Sequence, residues 1–580
     1  MATRQDAARA AYPDIPLFRY GYTDLSLAEV SRRLTAPALA GPQSLSPSDD
    51  LAGETLRFRS ENGPSLDFNF SPERRVEVGG AETAYGALTL DHVTLVTMML
   101  PREPRAYALA WDRHDNRATL FELWFGNGPA PVAREVNREL WHGYIDTGAG
   151  APQAELHAPT ARCEGRACMW AEDTGNRTVD YYPSSAFSHW VELDRLEEGR
   201  GYSAPSDYIK LTEDLYLYTR TEAEFSGLWH MYVMDANRLE QVGLRLGFNG
   251  LDELEYYMFR GNGEWLGQLA RFQTFGDVSG DPLAFEDAAK GERRIYRPLR
   301  SWDTMTEAEV REAMAAHGAK VFERASPMAG HGLPPSDGLA GRTFAVRYDN
   351  GPRMEYRFTS ADELQWRENG GGWTTARYNA WQNMPGVFIF GHYLEGKPDY
   401  DGHIVVADLE TGKASAFRGY LNTPYFANEA GAETWFGKLE GEGIPDPGED
   451  RHERTLDLLG RAFTWSYSPG LTSMHLYSSP NTVSWIIFTP SQHGGSEWSG
   501  SGDFVKIRDE LYFVRWQEEA CNGTLGTILI NMRTMHDSGI SYHMGEEGLS
   551  MGPVGAYARH AGHIGGALPY LSDKPGGHSV

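Results

Sequence analysis

The chain repeats itself, and this limits its possible folds more than any other feature. LAGETLRFRSENGP, starting at Leu51, returns as LAGRTFAVRYDNGP at Leu339, 288 residues later and without a gap. Further on, Trp141 in ELWHG matches Trp435 in ETWFG, and Tyr182 and Trp190 match Tyr477 and Trp485 at an offset of 295. DYIKLTEDLYLYTRTE from Asp207 then matches DFVKIRDELYFVRWQE from Asp503 at 296. A slowly growing offset is what loop insertions leave behind in a duplicated chain. Even the lead-ins agree, since Ser26-Leu27-Ala28-Glu29 and Thr306-Glu307-Ala308-Glu309 both have the form of a helix capping box. A fainter repeat lies inside each half. Leu459 to Tyr467 echoes Ala340 to Tyr348 at an offset of 119, and Cys168 to Gly175 is the first-half counterpart. The chain therefore reads as two copies of an unlike pair. The expected division is a leading segment with a helix (1–45), units at 46–150 and 151–296, a helical linker (297–333), and units at 334–445 and 446–580.

Each unit reads as strands. Thr343 to Tyr348 and Met354 to Phe358 alternate apolar and polar residues around Asp349-Asn350-Gly351, a strong hairpin signal. Further runs follow at Glu363–Arg367, Val387–Tyr393 and His403–Asp408, with Gly370-Gly371-Gly372 breaking the chain between the first two. Glycine (64 residues) and aromatics (12%) are abundant, which favours short strands and tight turns. Successive strands without crossover helices predict an up-and-down antiparallel barrel, and a barrel of about eight strands encloses room for one small ligand. The fold class expected is all-β: four such barrels in two repeats, with short leading helices.

Several functions are excluded. A net charge of −27 repels phosphate backbones, so nucleic acid is not an expected partner. No apolar run approaches the roughly 18 residues of a membrane span, and Met1 to Pro16 lacks an apolar leader, so a cytoplasmic location is expected. Cys163, Cys168 and Cys521 make no disulfide framework, although the first two are close enough in sequence to leave their pairing open. No nucleophile elbow, phosphate loop, dinucleotide fingerprint or HExxH motif is present. His560 and His563 have the spacing of a metal pair only on a helix, and glycine between them argues against one. Neither a metal nor a cofactor is expected, and a homodimer is left open.

Leu511-Tyr512-Phe513-Val514-Arg515-Trp516-Gln517-Glu518, Gly523 to Asn531 and Val554-Gly555-Ala556 resemble the C-terminal domain of the molybdenum cofactor biosynthesis protein F family. Leu339 to Leu421 resembles its N-terminal domain. The resemblance implies calycin-like (lipocalin-like) barrels and two tandem copies of a two-barrel unit. Molybdopterin handling is not expected, because no cysteine-rich site or phosphate loop accompanies it. A more distant similarity is to phenolic acid decarboxylases. Tyr348-Asp349-Asn350-Gly351 with Glu355-Tyr356 resembles one of their motifs, and Trp516-Gln517-Glu518 resembles the other. In that family tyrosine hydroxyls and an arginine hold the substrate while a glutamate transfers a proton. The two motifs fall in different units here, so the last unit, with Tyr467 and Glu518, is the better candidate.

Strand alternation puts Tyr512, Val514, Trp516 and Glu518 on one face. A carboxylate entering an aromatic pocket has its pKa raised by desolvation, which suits a general acid or base. A solvated rim position for Glu518 remains the plain alternative. The candidate catalytic residues are Glu518, Tyr467 and Tyr477. Tyr512, Trp516, His475, Trp485 and Trp465 are substrate-binding candidates. Arg515 is kept with them, although regular alternation turns it to the other face. Arg377, Tyr378 and Trp381 are weaker. A second site is conceivable at Glu222, Tyr182, Tyr216 and Trp190, where Arg220 replaces Trp516. The expected activity is a cofactor-independent lyase, of decarboxylase, hydratase or elimination type, acting on a hydrophobic, aromatic small molecule. The alternative is a lipocalin-like carrier without catalysis.

Overall fold

The computed structural model describes residues 25–35, 45–101, 103–126, 136–148, 150–194, 201–222, 228–249, 252–271, 305–321, 326–421, 427–489, 497–518 and 523–564. Cys521 and most of the leading segment lie outside these residues. Four antiparallel sheets account for nearly all of the rest. In the first, eight strands from Thr55–Arg59 to Val136–Ile145 each pair with the next, and the last pairs with the first to close a barrel. The second sheet spans Ala158–Pro159 to Leu254–Gln268, the third Thr343–Tyr348 to Gly431–Glu440, and the fourth is built on Arg461–Ser468 to Tyr557–His563. Most successive strands are neighbours, as the turn spacing predicts; the exceptions include Gly201–Pro205 with Tyr208–Lys210, Thr374–Arg377 with Asn379–Met384, and Gly548–Val554 with Tyr557–His563. The fold is therefore four calycin-like barrels or half-barrels.

Burial patterns follow from where each strand lies. Thr55–Arg59 and Arg75–Val78 alternate exposed and buried residues, with one face wet and one inside the barrel. Leu215–Thr221 and Thr524–Asn531 are buried on both faces. Their second face lies in a seam between barrels. One seam joins the first barrel to the second through residues such as Leu95, Phe121, Leu217 and Trp229. An equivalent seam joins the third to the fourth, where Phe417 and Phe513 stack at 4.0 Å.

The linker expected at 297–333 is only partly helical. Helix Glu307–His317 starts in a full capping box: Thr306 accepts the Glu309 N–H, and the Glu309 carboxylate accepts the Thr306 N–H at 2.7 Å. Val310 and Ala313 bury into the third–fourth seam. The chain then turns at Gly318 and adds Ala319–Val321 in parallel to Gly548–Val554, so that stretch belongs to the fourth sheet. The helix at Leu27–Thr35 is capped less completely. Ser26 accepts the Glu29 N–H at 3.2 Å, but the Glu29 carboxylate turns to Arg32 and Arg33.

A third seam joins the two halves, between the second and fourth barrels. Ala167, Val179, Tyr181, Val191, Leu193, Leu266 and Leu269 meet Ala462, Met474, Leu476, Ile486, Phe488, Ala561 and Ile564. Every residue of the first set has its repeat counterpart, 295 positions on, in the second. The contact is thus self-complementary, as at a two-fold dimer interface, but made within one chain.

Candidate functional site

The fourth barrel's interior is the best-built site. Tyr512, Val514 and Trp516 enter it from strand Leu511–Glu518, and Glu518 follows half-buried at the strand's end. Trp516 fits because its cross-strand partner is Gly526, where a Cβ would lie 2.4 Å from the indole. The indole N–H donates to Glu518 Oε1 at 3.2 Å. Burial pushes the Glu518 carboxyl up to about 7, and the indole hydrogen bond offsets little of this. His475 meets the Trp516 ring edge-on at 5.3 Å, and its Nε2 lies 3.5 Å from the Tyr467 hydroxyl. Burial pushes the His475 imidazole down to about 3, so it is neutral at physiological pH. Burial likewise keeps the Tyr467 and Tyr477 hydroxyls protonated, and for Tyr467 the charges of Asp537, Tyr477 and Glu518 add to it. Trp465 and Trp485 complete the wall.

Sequence reasoning missed Asp537. It stands opposite Ile530, an interior residue, and is 0% exposed. Its Oδ1 accepts the Ala556 N–H at 2.6 Å, while Oδ2 has no hydrogen-bond partner. Burial pushes this carboxyl up to about 8. The repeat held a signal. The counterpart of Asp537, 296 residues earlier, is Gln241, also buried, which marks the position as one that takes a polar side chain inside a barrel.

Two expectations need correction. Arg515 does not line the interior. Alternation turns it outward, where Nη1 donates to Gln517 Oε1 at 3.1 Å, and Gln517 in turn donates to Ala430 O of the third barrel. Tyr512 lies on the interior face but at the far end of its strand from Glu518, and its hydroxyl is held by Asp457 Oδ2 at 3.1 Å. The weaker third-barrel candidates are also committed elsewhere: Tyr378 donates to Ser360 O, Arg377 pairs with Asp362, and Trp381 packs in the seam. Tyr348 lies inside the third barrel beside His403, whereas Glu355 pairs with Arg353 and Arg367.

The second barrel repeats this architecture with its charges matched. Asp180 takes the place of His475 and Arg220 that of Trp516. Asp180 accepts from Arg220 Nη1 at 3.2 Å and from the Tyr218 hydroxyl at 3.1 Å. The Arg220 guanidinium lies 4.3 Å over the Trp190 ring. His230 takes the place of Gly526, which Arg220 permits and Trp516 does not, and its Nε2 lies 2.7 Å from Glu222. Trp170 donates to the Tyr182 hydroxyl at 3.0 Å, and Tyr216 donates to Glu213 O. Tyr182, Trp190 and Glu222 are thus brought into one barrel, but Asp180 has the Arg220 guanidinium beside it and Glu222 the His230 imidazole. Cys163 and Cys168 are buried free thiols here, both pushed up to about 12 by burial. Among the described residues no group of three or more His, Cys, Asp or Glu could hold a metal.

These features define a duplicated two-barrel protein with a polar, aromatic-lined interior in its last unit. Residues 321–423 match the family model described as the MoaF N-terminal domain, and 452–564 match that of the MoaF C-terminal domain. The second half of the chain therefore carries the two MoaF domains in tandem. No curated protein matches the chain. Among solved structures, a Burkholderia vietnamiensis protein provisionally assigned as a beta-lactamase is 14% identical. That match covers 19% of this chain and 98% of the other, with a TM-score of 0.16. A Nostoc punctiforme protein of the DUF3598 family, of unknown function, is 8% identical over 38% of this chain and 94% of its own, with a TM-score of 0.20. No helix among the described residues is long and apolar enough to cross a membrane.

Proposed function

We propose that the fourth barrel is a cofactor-independent lyase site, acting by acid–base chemistry on a hydrophobic, aromatic small molecule. The observation that carries this reading is Glu518, a carboxyl set beside Trp516 in an aromatic interior with no cation beside it among the described residues, whereas its counterpart Glu222 has the His230 imidazole at 2.7 Å. Elimination needs a proton taken from carbon and a proton given to the leaving group, and one carboxyl can do both in turn. Asp537 lies toward the Tyr512 end of the barrel and Glu518 at the other, so Glu518 is the group that would act. A β-hydroxy compound would lose its carbon-bound proton to Glu518, which returns it to the departing hydroxyl; water leaves, a carbon–carbon double bond forms, and Glu518 ends as it began. Tyr467 and Tyr477 would orient the substrate and Trp516 would stack on it. Hydration is the reverse of this step, and decarboxylation would use Glu518 alone to protonate carbon. The resemblance read in Trp516-Gln517-Glu518 to a phenolic acid decarboxylase motif is a further reason to assign the role to Glu518, and the buried free thiols fit a cytoplasmic setting.

Glu518→Gln keeps the shape and the indole hydrogen bond but removes the titrating group. Turnover of an active aromatic substrate should fall by at least about a hundredfold, with an unchanged circular dichroism spectrum. Full activity in this variant would remove Glu518 from the mechanism. Tryptophan quenching by aromatic ligands with no change in ligand mass, across a broad panel, would favour the carrier.

A further inference from the structure

Seven lysines and arginines lie between residues 452 and 564. Arg515 is the buried one, and it sits on the outer face of the barrel. Lys506 shares the interior face at the Tyr512 end, where Asp457 and Asp509 hold its ammonium at 3.0 and 3.2 Å. The others are exposed or bound in ion pairs outside the interior. His475 is neutral, and His543 at the Glu518 end bonds Thr524 at 3.3 Å. What does face the interior is acidic or hydroxylic: Asp537 with its free Oδ2, Glu518, Tyr467 and Tyr477.

Among the described residues, an anion entering this chamber would lose its water and find no guanidinium to replace it, and the one ammonium on the interior face, Lys506, is already held by two carboxylates. Burying a carboxylate without a partner costs far more than burying an alcohol or amide that finds one hydrogen bond. An ionised Glu518 would add repulsion. A hydroxyl, carbonyl or amide oxygen, by contrast, can accept from the Asp537 acid or a tyrosine hydroxyl. The second barrel shows the contrast, because there a guanidinium, Arg220, occupies the Trp516 position.

We infer that the fourth barrel selects an uncharged oxygen-bearing aromatic substrate and excludes its carboxylate analogue. This rests on the acid–base reading of the same chamber and narrows it, favouring hydration and elimination over decarboxylation of a free acid.

The test is tryptophan quenching of the full-length protein at about pH 7.5 with matched ligands: benzyl alcohol, benzamide and benzoate, then cinnamyl alcohol, cinnamamide and cinnamate. A neutral member of each set should bind at least about tenfold more tightly than its carboxylate. Trp516→Arg, which brings in the guanidinium of the second barrel, should narrow or reverse that gap. A carboxylate that binds the native protein as tightly as its neutral partners would overturn the inference, as would a panel in which no neutral member binds. The wild-type comparison decides the matter even if the variant does not fold. Neutral ligands that bind and are never converted would leave the selectivity standing and remove the lyase reading. Release of carbon dioxide from a bound carboxylate would do the reverse.

Discussion

Asp537 and Gln241 hold the same place in two copies of one unit and differ in one respect, the ability to titrate. The same division runs through the neighbouring positions. The second barrel answers Asp180 with Arg220 and Glu222 with His230, while the fourth leaves Glu518 with an indole N–H and Asp537 with a backbone N–H. Isolated buried acids cost stability, and strongly shifted groups cluster at functional sites. For Asp537 the cost has a sign. Its pKa rises from 3.8 in the open chain to about 8 in the fold, so below the lower value both states are protonated and the neutral acid is tolerated. Between the two values the unfolded chain releases its proton while the native state holds it, so stability falls as pH rises, by on the order of 1 kcal/mol per unit, and levels off above the folded value. Asp537→Asn should remove most of this fall. Urea midpoints measured between about pH 5 and pH 8 should flatten in the variant, which should gain stability over wild type toward the alkaline end. Parallel curves would mean that Asp537 is ionised in the native protein. Glu518 and Trp516 were legible in the sequence because a period of two puts them on one face, and the same period turned Arg515 away. Asp537 was not, since His536-Asp537-Ser538-Gly539 has the composition of a turn and only its pairing with Ile530 directs the carboxyl inward.

Strands were easiest to read where water touches one face, as at Thr343–Tyr348 and Arg353–Phe358, and the Asn-Gly hairpin between them fixes their register. Strands in the seams lose the alternation because both faces are apolar, and the repeat located them instead. Breaks follow local chemistry. The strand that runs unbroken over Glu497–Arg508 is split in the second barrel into Gly201–Pro205 and Tyr208–Lys210, where Pro205 ends one segment. The parallel addition of Ala319–Val321 could not be foreseen from a three-residue segment whose partner lies more than 200 residues away. It gives the preceding helix a structural role, because that helix sets the direction in which the strand enters the sheet. Thr306→Ala removes the side-chain half of the capping box and should cost about 1 kcal/mol locally. Hydrogen exchange should speed up over Glu307–His317 and the strand after it, with Tyr467 and its neighbours unaffected. Equal protection in the variant would mean that packing of Val310 and Ala313 alone holds the helix.

The whole molecule is a fused pseudo-dimer. Its central seam is apolar, seven residues from each half face their own repeat counterparts across it, and backbone bonds such as Ala270 N–H to Ala561 O, at 2.7 Å, cross between the halves. Gly201 shows how closely the two surfaces approach: its N–H donates to Thr482 Oγ1 at 3.0 Å, and a Cβ there would lie 2.8 Å from Thr482 and from His189. An isologous contact of this kind satisfies itself within one chain, so it offers no surface for a second copy, and the homodimer left open by the sequence is not needed to cover it. The second barrel, with its charges paired, supplies the wall against which the strands of the fourth barrel pack, including Leu471–Ser479, which carries His475 and Tyr477. If the seam works this way, a protein cut at a protease site introduced between Arg271 and Met305 should still elute as one particle. Leu476→Asp, which buries a charge against Tyr181 and its neighbours, should cost several kcal/mol and let the cut halves separate. The same substitution in the uncut chain should lower activity in the fourth barrel although residue 476 faces away from it. Separation of the halves after cutting alone would show that the linking segment, and not the seam, holds the molecule together.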